Sequence, residues 1–171
     1  MSRSFFEDLL SGAQQPTSQF EAADSKTLRL AAHPLTEEDV AALIRYQEAF
    51  LAHAELPSAD PEALVSAHQL ALQASGFEDV KIVELGLSML RAFCGPMWTA
   101  QRLRGRLAEL EKQPDAASTE KASRIREELF RVENLDALAR RYSQQAIDLL
   151  RQHEAELLAL HTRMQKVLTR A

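Results

Sequence analysis

Apolar residues return at helical intervals along this chain, and they do so longest between about Ala117 and Arg170, a stretch with neither glycine nor proline. Ile125, Leu129, Val132, Leu135, Ala139, Tyr142, Ala146, Leu149, Leu157, Leu160, Met164 and Val167 follow three- and four-residue steps, the period of one buried helical stripe. A second line through Phe130, Leu138, Ile147, Leu150, Leu158 and Leu168 widens it, so this helix is expected to face several partner helices in a bundle. About 53 residues at roughly 1.5 Å each would make a rod near 80 Å, whereas a compact chain of this length has a radius of gyration of about 15–16 Å. The stretch must therefore project, pair with a second copy or break. Asn134 to Asp136 is the expected break, because Asn and Asp side chains compete locally for helical hydrogen bonds.

The pattern upstream is helical too. Ser4, Phe5, Phe6, Glu7, Asp8, Leu9 and Leu10, then Ser11 and Gly12, predict a short amphipathic helix, followed by a turn-rich tether from Ala13 to Lys26. Two turns of helix are unstable alone in water, so Phe5, Phe6, Leu9 and Leu10 must dock. They cover the chain's own bundle or, as partner-binding candidates, fill a groove on another protein. Thr27 to Ala32 alternates weakly, as an extended segment does, with no second strand to pair it.

Thr36 with Asp39 three residues on predicts a capped helix start, and Val40, Leu43, Ile44, Gln47, Phe50, Leu51 and Ala54 mark one face up to Leu56, with Pro57 as the stop. Asp60, Pro61 and Glu62 predict the next start, and Gly76 its left-handed end. Val80, Ile82, Val83, Leu85, Leu87, Met89, Leu90 and Phe93 point all around the axis, so this element is expected at the centre of the core. Gly95 and Pro96 either kink it or end it. The outcome is one bent arm over 78–112 or a separate helix from Met97 to Gln113. In both cases Ala100, Leu103, Leu107 and Leu110 form a seam and Pro114 and Asp115 reverse the chain.

The fold class is therefore all-α: a helical bundle whose long C-terminal helix forms an antiparallel αα-hairpin or coiled coil with the helix before it. Residues 1–35 form the short helix and linker, and residues 36–171 a single bundle domain.

Composition supports this reading. Glycine, proline and β-branched residues are few, and Leu and Ala rather than aromatics supply the packing volume. Cys94 is the only cysteine, which excludes an intramolecular disulfide and any site of several thiolates. No stretch approaches the roughly 20 apolar residues that span a bilayer, and the start lacks the unbroken apolar run of a signal peptide, so the expected location is the cytoplasm. The excess of Arg over Lys, with abundant Ala, suits a GC-rich bacterial genome. Charge is uneven. Residues 1–80 carry four basic against thirteen acidic side chains, a net of −9, which leaves +4 for residues 81–171 within the total of −5. The halves can attract each other. Basic residues after position 100 alternate with acids, as on a solvated helix face, so nucleic acid is not an expected partner.

Candidate chemistry is sparse. Cys94, Met97 and Trp98 gather the only thiol and only indole around Gly95 and Pro96, as the lining of a small apolar ligand pocket. A thiol at a helix C-terminal end sees the wrong end of the dipole for a nucleophile. His153 and His161 lie eight residues apart with Glu154 and Glu156 near, but the repeated Glu-x-x-His pairs of a di-iron bundle are missing. His53 and His68 are expected at the surface, and His33 precedes Pro34. No phosphate loop, nucleophile elbow, zinc helix pair or calcium loop occurs, so no cofactor or metal is implied. The expected function is non-enzymatic: an adaptor, scaffold subunit or regulator that binds another protein and forms a homodimer. The alternative is a ligand- or metal-binding bundle at Cys94–Trp98 or at His153 and His161.

Overall fold

A computed structural model describes residues 5–13, 34–56 and 60–170. Within them every element is an α-helix and no strand occurs. The helices are α1 (Phe5–Ala13), α2 (Glu37–Ala54), α3 (Pro61–Ser75), α4 (Val80–Glu111), α5 (Ala116–Val132), α6 (Asp136–Tyr142), α7 (Gln144–Gln152) and α8 (Glu154–Arg170). The weakly alternating segment Thr27 to Ala32, the tether after Ala13, His33 and Pro57 lie outside the described residues.

Local chemistry sets most helix ends. Thr36 and Asp39 form a reciprocal capping box, with Asp39 N–H donating to Thr36 Oγ1 at 3.1 Å and Thr36 N–H to Asp39 Oδ2 at 2.9 Å. Asp60 accepts from Ala63 N–H at 2.8 Å, and Pro61 takes the first helical position, where a missing N–H costs nothing. Gly76 ends α3 at φ +80°, a left-handed conformation that suits a residue without Cβ. Asp115 starts α5 by accepting from the Ser118 backbone at 2.7 Å and from its hydroxyl at 2.9 Å. Those bonds hold the Asp115 carboxyl below its ordinary range.

The core is built mainly on α2, α4, α7 and α8. The expected α2 face is buried as a set, from Val40 through Leu43, Gln47, Phe50 and Leu51 to Ala54. α3 is the closest neighbour of α2, and it presents small buried residues there, Ala67, Ala71 and Ser75, which let the two backbones approach. On α4, Val83, Met89, Leu90, Phe93, Cys94 and Met97 are buried, while Ile82, Leu85 and Leu87 are half-buried and Val80 is exposed. α4 is therefore central but not enclosed on all sides.

Proline inside α4 does not end it. The helix runs 32 residues through Gly95 and Pro96, about 48 Å at 1.5 Å per residue, so the two expected alternatives resolve to one arm. Its last turns lie against α5 beyond the 112–115 turn. Glu111 pairs with Arg126 at 2.9 Å near that turn, and Arg104 pairs with Glu133 farther out. Ala122 and Ile125 of α5 are buried there but do not belong to the main hydrophobic cluster.

The stretch from Ala117 to Arg170 is not one helix. It breaks at three places. At the first, Asn134 Oδ1 accepts from Asp136 N–H at 3.0 Å, the local competition expected of Asn. The second is Ser143, at φ +91°, whose hydroxyl accepts from Ala146 N–H at 3.1 Å to start α7. The third is His153, between α7 and α8. These breaks fold an 80 Å rod back into the bundle, so α8 lies against both α2 and α4. His153 meets Glu37 near the start of α2 and Arg163 meets Glu55 at its end, so α2 and α8 run in the same general sense.

Candidate functional site

The α4 and α8 faces that turn toward each other do not close completely. Arg91, Cys94 and Trp98 recur at helical spacing on α4, and His161 and Gln165 of α8 border two neighbouring spaces, one beside Trp98 and Lys166 and one beside Arg91 and Cys94. The result is a cleft of about 400 Å³ walled by Trp98, His161, Thr162, Gln165, Lys166 and Thr169. His161 and Gln165 also border a smaller inner chamber of about 30 Å³, which Gln47 of α2 reaches and whose apolar wall includes Leu87, Leu90, Met164 and Leu168. The outer volume lies within the usual range for small-molecule sites, and the apolar lining with few polar groups is their usual composition.

The polar groups are distinct in kind. Gln47 is 95 % buried, and among the described residues its Oε1 accepts no hydrogen bond. A buried carbonyl oxygen without a donor is costly. Burial, with the nearby Arg91 charge second, lowers the His161 pKa, so the imidazole is neutral at pH 7. Arg102 lies over the Trp98 ring at 4.8 Å to its centre and fixes one face of the indole. Burial, and then the Glu154 carboxylate, push the Cys94 thiol up to about 12. It stays protonated at neutral pH and is no nucleophile.

The expected ligand trio is thus divided. Cys94 lines the inner chamber and Trp98 the outer cleft, but Met97 is 3 % exposed, sits in the main core and borders neither space. One helical step separates Met97 from Trp98, and a helix turns about 100° per residue, so neighbours face different ways. His161 joins the site from α8, whereas His153 is bound to Glu37 at 2.7 Å beside the α7–α8 break. Among the described residues no three His, Cys, Asp or Glu side chains gather as a metal would need.

Two further expectations take definite positions. His53 is exposed, but His68 is half-buried, and its Nδ1 lies 2.5 Å from the Tyr46 hydroxyl. His68 is therefore not a surface residue but a tie between α3 and α2, and burial raises the Tyr46 pKa. Phe5, Phe6 and Leu9 are 1 %, 0 % and 5 % exposed, with Leu10 half-buried, because α1 packs on α4. In this arrangement the four partner-binding candidates are covered by their own bundle.

Gln47, Arg91, Gln165 and Lys166 are the site residues that sequence patterns do not single out. Only Gln47 carries a signal, as the one polar residue on the apolar α2 face. Comparison of the chain with protein-family models, with curated proteins and with solved structures gives no match. Fold and site define a class alone: an all-α bundle with an amphipathic cleft between two of its helices. Among the described residues no helix is long and apolar enough to cross a membrane.

Proposed function

We propose that the protein acts without catalysis, by binding protein through the arm formed by the end of α4 and α5, and that its first partner is a second copy of itself. The observation that carries this reading is Phe130, which is 81 % exposed on α5, away from the main core. Exposing a phenyl ring is unfavourable by about 1.5–3 kcal/mol relative to burying it. Aromatic side chains of this kind are the usual anchors of interfaces. A twofold contact is the simplest way for one such exposed side chain to find a partner surface, because it meets its own copy.

The arm's cations favour protein over nucleic acid as the partner. Arg124 pairs with Glu120, Arg126 with Glu111, Arg131 with Glu128 and Arg104 with Glu133, which leaves few for phosphates. The test is sedimentation of the full-length chain beside Phe130→Glu. A dimer for the native chain and a monomer for the variant, with equal unfolding temperatures, is the expected result. A native chain that stays monomeric at tens of micromolar removes the self-association. The adaptor reading then rests on whether Phe130→Glu loses a protein that the native chain recovers from cells.

A further inference from the structure

One side of the bundle is built without cations of its own. Residues 46–80, which hold the second half of α2, all of α3 and the turn into α4, contain no Lys or Arg against six acids, Glu48, Glu55, Asp60, Glu62, Glu78 and Asp79. The acids stop short of the middle of α3. From Ala63 to Ser75 there is no Asp, Glu, Lys or Arg, although Val65, Ser66, Gln69, Leu70, Gln73 and Ala74 are all exposed. Val65 is 60 % and Leu70 42 % exposed. Five residues apart on a helix, their side chains stand about 140° apart, with Ser66, Gln69 and Gln73 between them. The face is thus a strip with two apolar edges and an uncharged floor. Asp60 and Glu62, both exposed, close one end of it, and Glu78 and Asp79, also exposed, close the other. Two cations reach this side from outside. Arg163 pairs with Glu55, and Arg45 pairs with Glu38 while it donates to the Ser75 carbonyl at 3.2 Å, so these pairs add no net charge.

We propose that the outer face of α3 docks a helix of another protein, one with an uncharged or apolar stripe and with Lys or Arg at both ends. A centre depleted of charge inside a polar rim is the composition that marks a protein contact. The rim here has one sign, so it selects a partner of the other. A second copy presenting the same face does not fit: both ends of the strip are acidic, so α3 against α3 sets acid on acid in either direction. The same charge repels phosphate backbones and anionic bilayers. The proposal goes beyond the reading of the α4–α5 arm and does not depend on it, since Phe130 lies on α5.

The probe is a synthetic helical peptide of Ala, Leu and Gln, as long as α3, with two lysines at each end. It is titrated into the isotope-labelled full-length protein while backbone amide shifts are followed. The same peptide with glutamates in place of the lysines is the control. The lysine-ended peptide should shift the amides from Val65 to Ala74 and bind roughly tenfold more tightly than the control, and the difference should shrink as salt is raised. Gln69→Lys, which sets a cation in the middle of the strip, and Val65→Ser with Leu70→Ser, which removes its apolar edges, should each weaken that binding roughly tenfold. Both variants change exposed side chains only, and the amide spectrum checks that the fold is kept. Equal binding of the two peptides, shifts centred on Trp98 or Phe130 instead of α3, or no shift at millimolar peptide would each overturn the assignment. So would α3 shifts that grow with the protein's own concentration in the absence of peptide, because a second copy would then be the occupant.

Discussion

Ser143 is the residue whose backbone is least comfortable. At φ +91° and ψ 151° it occupies a region that glycine enters freely and a residue with Cβ enters at a cost of about 1–3 kcal/mol. Two things hold it there. Tyr142 and Ala146 on either side are both buried, so α6 and α7 must each turn a face to the core, and the Ser143 hydroxyl caps α7 through Ala146 N–H. Replacing serine by glycine releases the strain and weakens the cap by only a few tenths of a kcal/mol. After glycine's extra chain entropy, Ser143→Gly should gain roughly 0.5–1 kcal/mol. Ser143→Ala keeps the strain and loses the cap, so it should lose about 1 kcal/mol. Thermal unfolding of the two variants separates these effects, and a glycine variant no more stable than the alanine one would mean that the backbone is unstrained in solution.

At the scale of elements, Gly86 of α4 lies directly against the Leu43 side chain of α2. A Cβ placed there would stand 2.5 Å from Leu43 Cδ2, and Leu43 is fully buried. Overpacking of this kind costs about 1–3 kcal/mol, more than the roughly 1 kcal/mol that alanine gains over glycine in a helix. Gly86→Ala should therefore lower the urea midpoint. Gly105 lies on the same helix with nothing within 4 Å of an added methyl group, so Gly105→Ala should raise it. Both midpoints rising would show that α2 can yield. Capped ends such as Thr36–Asp39, Asp60–Pro61 and Gly76, and the Asn134 break, were legible because neighbouring residues alone decide them. The continuity of α4 through Pro96 was not, since burial of Phe93, Cys94 and Met97 around the proline overrides a local preference to stop. Nor were the breaks at Ser143 and His153, which carry neither glycine nor proline and follow from packing. The cleft was half legible. Cys94 and Trp98 are neighbours in sequence, but Gln47, Lys166 and His161 come from two other helices, and no spacing rule joins residues across helices.

At the scale of the whole molecule, the acidic first half and the basic second half meet within one chain, where Glu37 faces His153 and Glu55 faces Arg163. Such partly exposed pairs add little individually. They set the register of α8 on α2, and apolar burial supplies the stability. One hydrophobic cluster runs from Phe5, Phe6 and Leu9 through Leu35 and the α2 face to Leu157 and Val167, so α1 shares the core of the helices that follow it. Phe6 is fully buried and meets the Phe77 ring edge-on at 6.4 Å between centres. If α1 belongs to the folded unit, Phe6→Ala should destabilise the full-length chain by ~3 kcal/mol, the lower range for a buried phenylalanine. The loss is capped by the free energy with which α1 docks, because a helix of nine residues can detach once its anchor is gone. Deleting residues 1–13 measures that cap. A Phe6→Ala loss equal to the deletion means that this one ring decides whether α1 stays. A smaller loss means that Phe5 and Leu9 still hold it, and no loss in either variant would free Phe5, Phe6, Leu9 and Leu10 for a partner.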